Sequence, residues 1–225
     1  MRGLLPSCAN RALRPKGNRT MQQSVLDIFP AFTTKLEGAI NWMYLDKRGL
    51  VTVGWGYLID PLGPQVLRLP WVVRGAGTDA SPSDVTDNWH AVKKDTSLAV
   101  RGAQAAKQYA YVGLTDEGMQ STAFERLRDD EEYVLNHWFP DFDAWPADAQ
   151  LALLSMCWAM GPDGFKKFPK FAQACREQAW QLAALECYMN STNNPGLIPR
   201  NKANRKLFEA AAAIENQLTK VTGYP

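Results

Sequence analysis

A chain of 225 residues, 46% hydrophobic and 21% charged with eight tryptophans, is long enough to bury a sizeable core as one domain or as two lobes sharing a long helix. Its net charge of +2 is unevenly spread: five of the 25 basic residues precede the first acid, Asp27, and the other twenty face 23 acids, so the body is slightly acidic and no nucleic-acid partner is expected. The longest nearly apolar stretch, residues 151–160, is too short to span a bilayer, and two histidines without an H-E-x-x-H motif argue against a zinc hydrolase.

Residues 1–25 read as a basic, flexible arm carrying Arg2, Arg11, Arg14, Lys16 and Arg19, without interleaved aromatics or an amphipathic period, and no function is assigned to it. The apolar region before Cys8 is too short for a lipoprotein signal, so no export signal is expected. Cys8, Cys157, Cys175 and Cys187 form no C-x-x-C pair. The last three read as buried thiols, with a Cys175–Cys187 bridge left open.

The first predicted element is a short helix over residues 30–38, with Phe32 and Leu36 on one face and Gly38 as its stop, which puts Glu37 at the helix's negative end. Residues 43–59 predict a hairpin turning at Asp46-Lys47-Arg48-Gly49, with Val51, Val53, Trp55 and Tyr57 alternating against Thr52, Gly54 and Gly56. Further on, Ser81-Pro82-Ser83-Asp84 has the pattern of a capped helix start, followed by a stripe of Val85, Trp89 and Val92. A second short helix is expected over residues 103–112.

From Leu114 onward helix is expected throughout. Thr115 caps a helix bearing Met119, Ala123, Phe124 and Leu127, whose acids 129–132 read as a solvated face. Residues 151–160 predict the central core helix ended by Gly161, and two more helices follow over 170–188 and 201–221. The expected class is α+β: an N-terminal lobe over residues 26–113 holding the hairpin and an inserted segment, and a helical lobe over 114–225.

Glu37, Asp46 and Thr52 are the residues with chemistry to offer. Glycoside hydrolysis needs a protonated carboxyl group to donate to the leaving oxygen and an ionised one to activate water or stabilise the cationic sugar. A helix C-terminus and a neighbouring acid both favour the protonated form of Glu37, while Asp46 on a solvated turn stays ionised. Period 2 puts Thr52, Gly54 and Gly56 on one strand face and leaves bare backbone for a sugar ring, with Thr52 holding a water against Asp46. An ordinary hairpin with glycines at bulges and unrelated surface acids is the competing reading.

The run Glu37-Gly38, Tyr44-x-Asp46, Gly49, Thr52, Gly54, Gly56 resembles the E-G, Y-x-D, G-x-x-T-x-G-x-G layout of the phage-type lysozymes, the family 24 glycoside hydrolases. Residues 147–161 are similar to the family's central buried helix, and residues 196–208 to its G-L-x-x-R-R-x-A-x-x-x-L-F segment. The resemblance covers a little over half the chain and departs in three places. Tyr57 stands where many members carry a histidine, Asn201 replaces the second arginine, and residues 60–113, with Trp71, Trp89 and Tyr109, are longer than in compact members.

That resemblance implies a lysozyme-like fold with a cleft between lobes, and a muramidase of the inverting type that needs no metal or cofactor. It assigns Glu37 as general acid, Asp46 as second carboxylate and Thr52 as the residue positioning water. Gly54, Gly56, Tyr57, Trp158 and Arg200 are expected along the substrate, with Arg200 pairing the acid. Arg200 as a surface charge at a helix start, and Trp158 as core packing, remain open at this level. The implied partner is peptidoglycan, cut in the periplasm or wall of a target bacterium. Both a phage endolysin and an antibacterial effector of the type VI secretion kind, with an immunity protein of its own, fit the phrasing. A non-catalytic peptidoglycan-binding module on the same scaffold and a chitin-type hydrolase are the alternatives.

Overall fold

The computed structural model describes residues 21–222, so the basic residues of the arm and Cys8 lie outside the described range. The class is α+β. In chain order the elements are α1 (Gln23–Glu37), β1 (Ile40–Leu45), β2 (Val51–Gly54), β3 (Tyr57–Leu58), α2 (Pro64–Leu67), β4 (Trp71–Val73), α3 (Pro82–Lys94), α4 (Leu98–Arg101) and α5 (Ala103–Ala106). They continue with β5 (Val112–Leu114), α6 (Asp116–His137), α7 (Ala147–Met160), α8 (Pro169–Arg176), α9 (Trp180–Glu186) and α10 (Leu197–Thr222). Strands β1, β2 and β3 form one antiparallel sheet and β4 pairs with β5 in a second.

The first helix begins seven residues before the expected start, at Gln23, and Pro30 lies inside it. Its core stripe is Val25, Phe29 and Thr33, spaced i, i+4, i+8, so the polar Gln-Gln-Ser run conceals the first turn. The segment from Met21 to Val25 is therefore not arm. Met21 N donates to the Glu131 carboxylate, and Gln22 donates from its backbone to Gln150 Oε1 (2.9 Å) and from its side chain to Trp145 O (2.7 Å).

Helix α7 is the axis of the molecule: every residue from Ala149 to Trp158 is buried, and α1, α6 and α10 pack against it. A helix apolar all round has no solvent face to lose, which fits its place at the centre. Below it Phe139, Phe142, Trp145, Phe165, Phe171, Trp180 and Phe208 form a continuous aromatic cluster with ring centroids 4.9–6.3 Å apart.

Several expectations are corrected. The helix expected over 103–112 ends at Ala106, because Val112 to Leu114 are needed as a strand against Trp71 to Val73. Leu114 therefore closes a strand, and helix resumes only after Thr115, whose hydroxyl accepts from Gly118 N at 3.0 Å. The helix expected over 170–188 is two, broken where Gln178 adopts φ +52°, a bend that brings Trp180 flat against Phe208. Nor is the acidic stretch of α6 a solvated face: Asp130 and Glu131 are buried, and only Asp129 and Glu132 are exposed. Cys157, Cys175 and Cys187 are buried free thiols, so the Cys175–Cys187 bridge is not formed. Among the described residues no helix is long and apolar enough to cross a membrane.

Candidate active site

The last turn of α1 ends at Glu37, Gly38 N closes it onto Thr34 O at 3.0 Å, and the chain turns straight into β1. The β1–β2 hairpin then reverses at Asp46 to Gly49, with Tyr44 opposite Thr52 across the ladder. Helix end, hairpin and the far end of α7 enclose a cleft of about 300 Å³. Glu37, Asp46, Thr52, Gly56 and Trp158 all line it, and so do Tyr44 and Arg126.

Arg200 lies beneath Glu37. It is 2% exposed, where a surface charge was one expectation, and Glu37 is 39% exposed. One guanidinium nitrogen donates to Glu37 Oε1, and the other donates to Ser155 O (3.0 Å) and Ser155 Oγ (2.9 Å). Burial pulls the Arg200 pKa down while the Glu37 charge pushes it up, the balance lying below the ordinary value. The fork thus ties the acid at the end of α1 to α7 and α10 at once.

Asp46 is held by its own turn. Its Oδ1 accepts from Arg48 N (2.8 Å) and Leu50 N (2.9 Å), and Oδ2 accepts from Arg48 Nε at 3.1 Å. Partial burial pushes its pKa up, but these donors outweigh it and hold the carboxyl below the usual range, so Asp46 is ionised at neutral pH. Thr52 is buried, and its hydroxyl donates to Leu50 O at 3.1 Å, which spends its proton and leaves oxygen lone pairs as acceptors. Tyr44 stands among these groups with its phenol pushed up to about 12, by burial first and then by the charges of Glu37 and Asp46.

The expected bare strand face is not what the glycines serve. Strand β2 stops at Gly54, so period 2 ends there and Trp55-Gly56 makes the turn into β3. Gly54 has φ +64° and Gly56 φ +88°, conformations that L side chains rarely adopt. Gly54 faces Met119 and Thr122 of α6 and lies outside the cleft lining, while Gly56 does line it. The turn is pinned from two sides: Trp158 Nε1 donates to Trp55 O (3.0 Å) and Trp55 Nε1 to Thr34 Oγ1 (2.9 Å). Tyr57 also lies outside the cleft lining. Its hydroxyl donates to Glu125 Oε2 at 3.1 Å, which ties β3 to α6.

Two contributors were missed from sequence. Arg126 lies on α6, a turn the acidic run after it marks as solvated, yet its guanidinium stacks 4.0 Å from the Trp158 ring centroid and donates to Trp158 O at 2.8 Å. From the inserted segment, Lys93 Nζ on α3 donates to Gly49 O (2.9 Å) and Asp60 Oδ2 (2.6 Å), and Asp60 Oδ2 accepts from Val51 N (3.0 Å). Only the capped helix pattern at Ser81 hinted that this segment carries an element placed against the hairpin. Among the described residues no three His, Cys, Asp or Glu side chains form a group suited to a metal ion. Neither a protein-family model nor a curated protein matches the chain.

Proposed function

We propose that the cleft is the active site of a glycoside hydrolase of the phage-type lysozyme kind, a muramidase cutting the β-1,4 bond between N-acetylmuramic acid and N-acetylglucosamine in bacterial cell wall. The observation that carries the reading is that Glu37 and Asp46, from a helix end and a hairpin turn, line one groove in unlike surroundings. Glu37 Oε1 is tied to Arg200, leaving Oε2 to carry the proton to the glycosidic oxygen as the C1–O bond breaks. Asp46, ionised, takes a proton from a water whose oxygen adds to C1, and Thr52 accepts a hydrogen bond from that water. Protons return to Glu37 and leave Asp46 through solvent, so the side chains end as they began. The resemblance of the motif, spread over the same residues, favours inversion at C1.

Clearing of a suspension of purified cell walls tests the assignment. Wild type is expected to clear it; Glu37→Gln and Asp46→Asn, which remove charge with little change of shape, are expected to bind walls and leave them turbid. Clearing by the Asp46→Asn variant at the wild-type rate means that the second acid is another residue. A non-catalytic binder sediments with walls in every form and clears none. Release of sugars from chitin oligomers at a comparable rate favours the chitin-type alternative. A holin gene or an immunity gene beside the coding sequence separates endolysin from effector.

A further inference from the structure

Among the described residues two hydroxyl groups line the cleft, those of Thr52 and Tyr44. The two residues stand opposite each other across the β1–β2 ladder, so their side chains leave the sheet on the same side. The Thr52 proton is committed to Leu50 O. The Tyr44 hydroxyl has no hydrogen-bond partner among the described residues, and in this it differs from every other tyrosine there. Tyr57, Tyr109, Tyr111, Tyr133 and Tyr188 each form a hydrogen bond through the hydroxyl. A half-buried phenol ordinarily finds a partner in its own protein. Tyr44 instead sits in the groove between Glu37 and Asp46, with its phenol pushed up to about 12 by burial and then by their charges. It therefore keeps its proton wherever Asp46 is ionised and has that proton to offer to a hydrogen bond.

What the two acids leave unserved on the sugar points to the acceptor. In the proposed reaction Glu37 serves the glycosidic oxygen and Asp46 the water, both at C1. The ring oxygen gathers positive charge in the oxocarbenium-like transition state and repels a donor. The strong acceptor that remains next to C1 is the carbonyl of the acetamido group on C2, which stays neutral throughout. We infer that Tyr44 is a further substrate-contacting residue, whose hydroxyl donates to the acetamido carbonyl of the sugar that reacts between Glu37 and Asp46. The assignment rests on the reading of the cleft as a glycan-hydrolase site, and it adds the group that orients the reacting ring.

The test uses peptide-free wall glycan that has been N-deacetylated and then re-acylated, with acetyl groups in one batch and trifluoroacetyl groups in the other. The two acyl groups are equal in charge and close in size, but fluorine withdraws electrons from the carbonyl and makes it the poorer acceptor. Wild type is expected to show kcat/KM about threefold higher on the acetyl strands. Tyr44→Phe removes the hydroxyl alone and leaves no protein group without its bond. It is expected to lose about tenfold on the acetyl strands, the size of one neutral hydrogen bond, and only about threefold on the trifluoroacetyl strands, so that it treats the two alike. Equal treatment of both strands by wild type overturns the proposal, and so does a Tyr44→Phe as active as wild type on the acetyl strands. Impairment of Tyr44→Phe by the same factor on both strands also overturns it and marks a merely structural role. Should the phenylalanine variant fail to fold, Tyr44→Met, which lacks the hydroxyl and adapts its shape, is held to the same expectations. If wild type cleaves neither strand, the hydrolase reading fails on its own, and equilibrium binding of the same two strands followed by tryptophan fluorescence decides. A preference for the acetyl strands that Tyr44→Phe abolishes upholds Tyr44; equal affinities in wild type, or a preference kept by the variant, reject it.

Discussion

Asp130 is a buried carboxyl on α6, one turn beyond the Arg126 that lines the cleft. Burial pushes its carboxyl up to about 6; Arg126 at 3.9 Å pulls it back only in part, and Asp129 adds to the rise. A carboxyl whose folded pKa exceeds its unfolded one binds more protons when folded, so it favours the native state below the unfolded value and loses that contribution as pH climbs to about 6. Wild type is therefore expected to lose stability relative to Asp130→Asn between pH 4 and pH 8, by roughly 2–3 kcal/mol. Urea unfolding of both proteins at the two pH values reads the difference, and parallel curves contradict it. Asp46 has the opposite sign, held low by donors from its own turn, and its partner Arg48 is largely exposed, so its contribution to stability is small. At this scale the sequence is most legible where the turn itself supplies the bonds. Asp46, Gly49 and Thr52 could be read from local chemistry, whereas Asp130 and Arg126 could not. Their burial is decided by the packing of α6 on α7, and a charged run on a helix looks solvated until its neighbours are known.

Among the elements, the hairpin depends on help from outside its own strands. Lys93 on α3 reaches the carbonyl of Gly49 and the carboxylate of Asp60, which also receives Val51 N, so three bonds hold the turn that carries Asp46. The pair is part-buried, with Asp60 drawn below the usual carboxylate range, by Lys93 above all, against the rise from burial. Lys93→Met is expected to cost about 1–3 kcal/mol of stability and to loosen the turn. Hydrogen exchange at Leu50 and Val51 is expected to quicken with exchange in α7 unchanged; protection kept at both amides would show that the strand pairing alone suffices. The glycines at and just past the end of β2 show what pattern reading does well and where it stops. Their positions in the sequence mark the site, but the reason is a turn that needs positive φ at Gly54 and Gly56, and strict alternation cannot reveal where a strand ends. The same holds for the helix expected over 170–188, whose apolar spacing is continuous although the backbone bends at Gln178 to seat Trp180.

Over the whole molecule the sequence was legible in class and in plan, with the hairpin, a capped α3 and an apolar core helix all where pattern and caps place them. The second sheet, β4 with β5, was not legible, because three-residue strands separated by some forty residues of chain leave no local period. That pairing ties the segment before α3 to the chain just ahead of α6, so the expected boundary at residue 113 runs through a ladder. The chain before and after that ladder is also joined by Tyr57 with Glu125 of α6 and by Glu37 with Arg200 of α10. In the proposed reaction Glu37 gives a proton to a glycosidic oxygen while Asp46 serves the water. Mass spectrometry of purified sacculi after digestion tests this division of roles. Wild type is expected to release fragments ending in a reducing N-acetylmuramic acid, and Glu37→Gln to release them at no more than about a hundredth of that rate. Fragments ending in anhydro-muramic acid, cleavage at the peptide, or an undiminished yield from Glu37→Gln would contradict the claim.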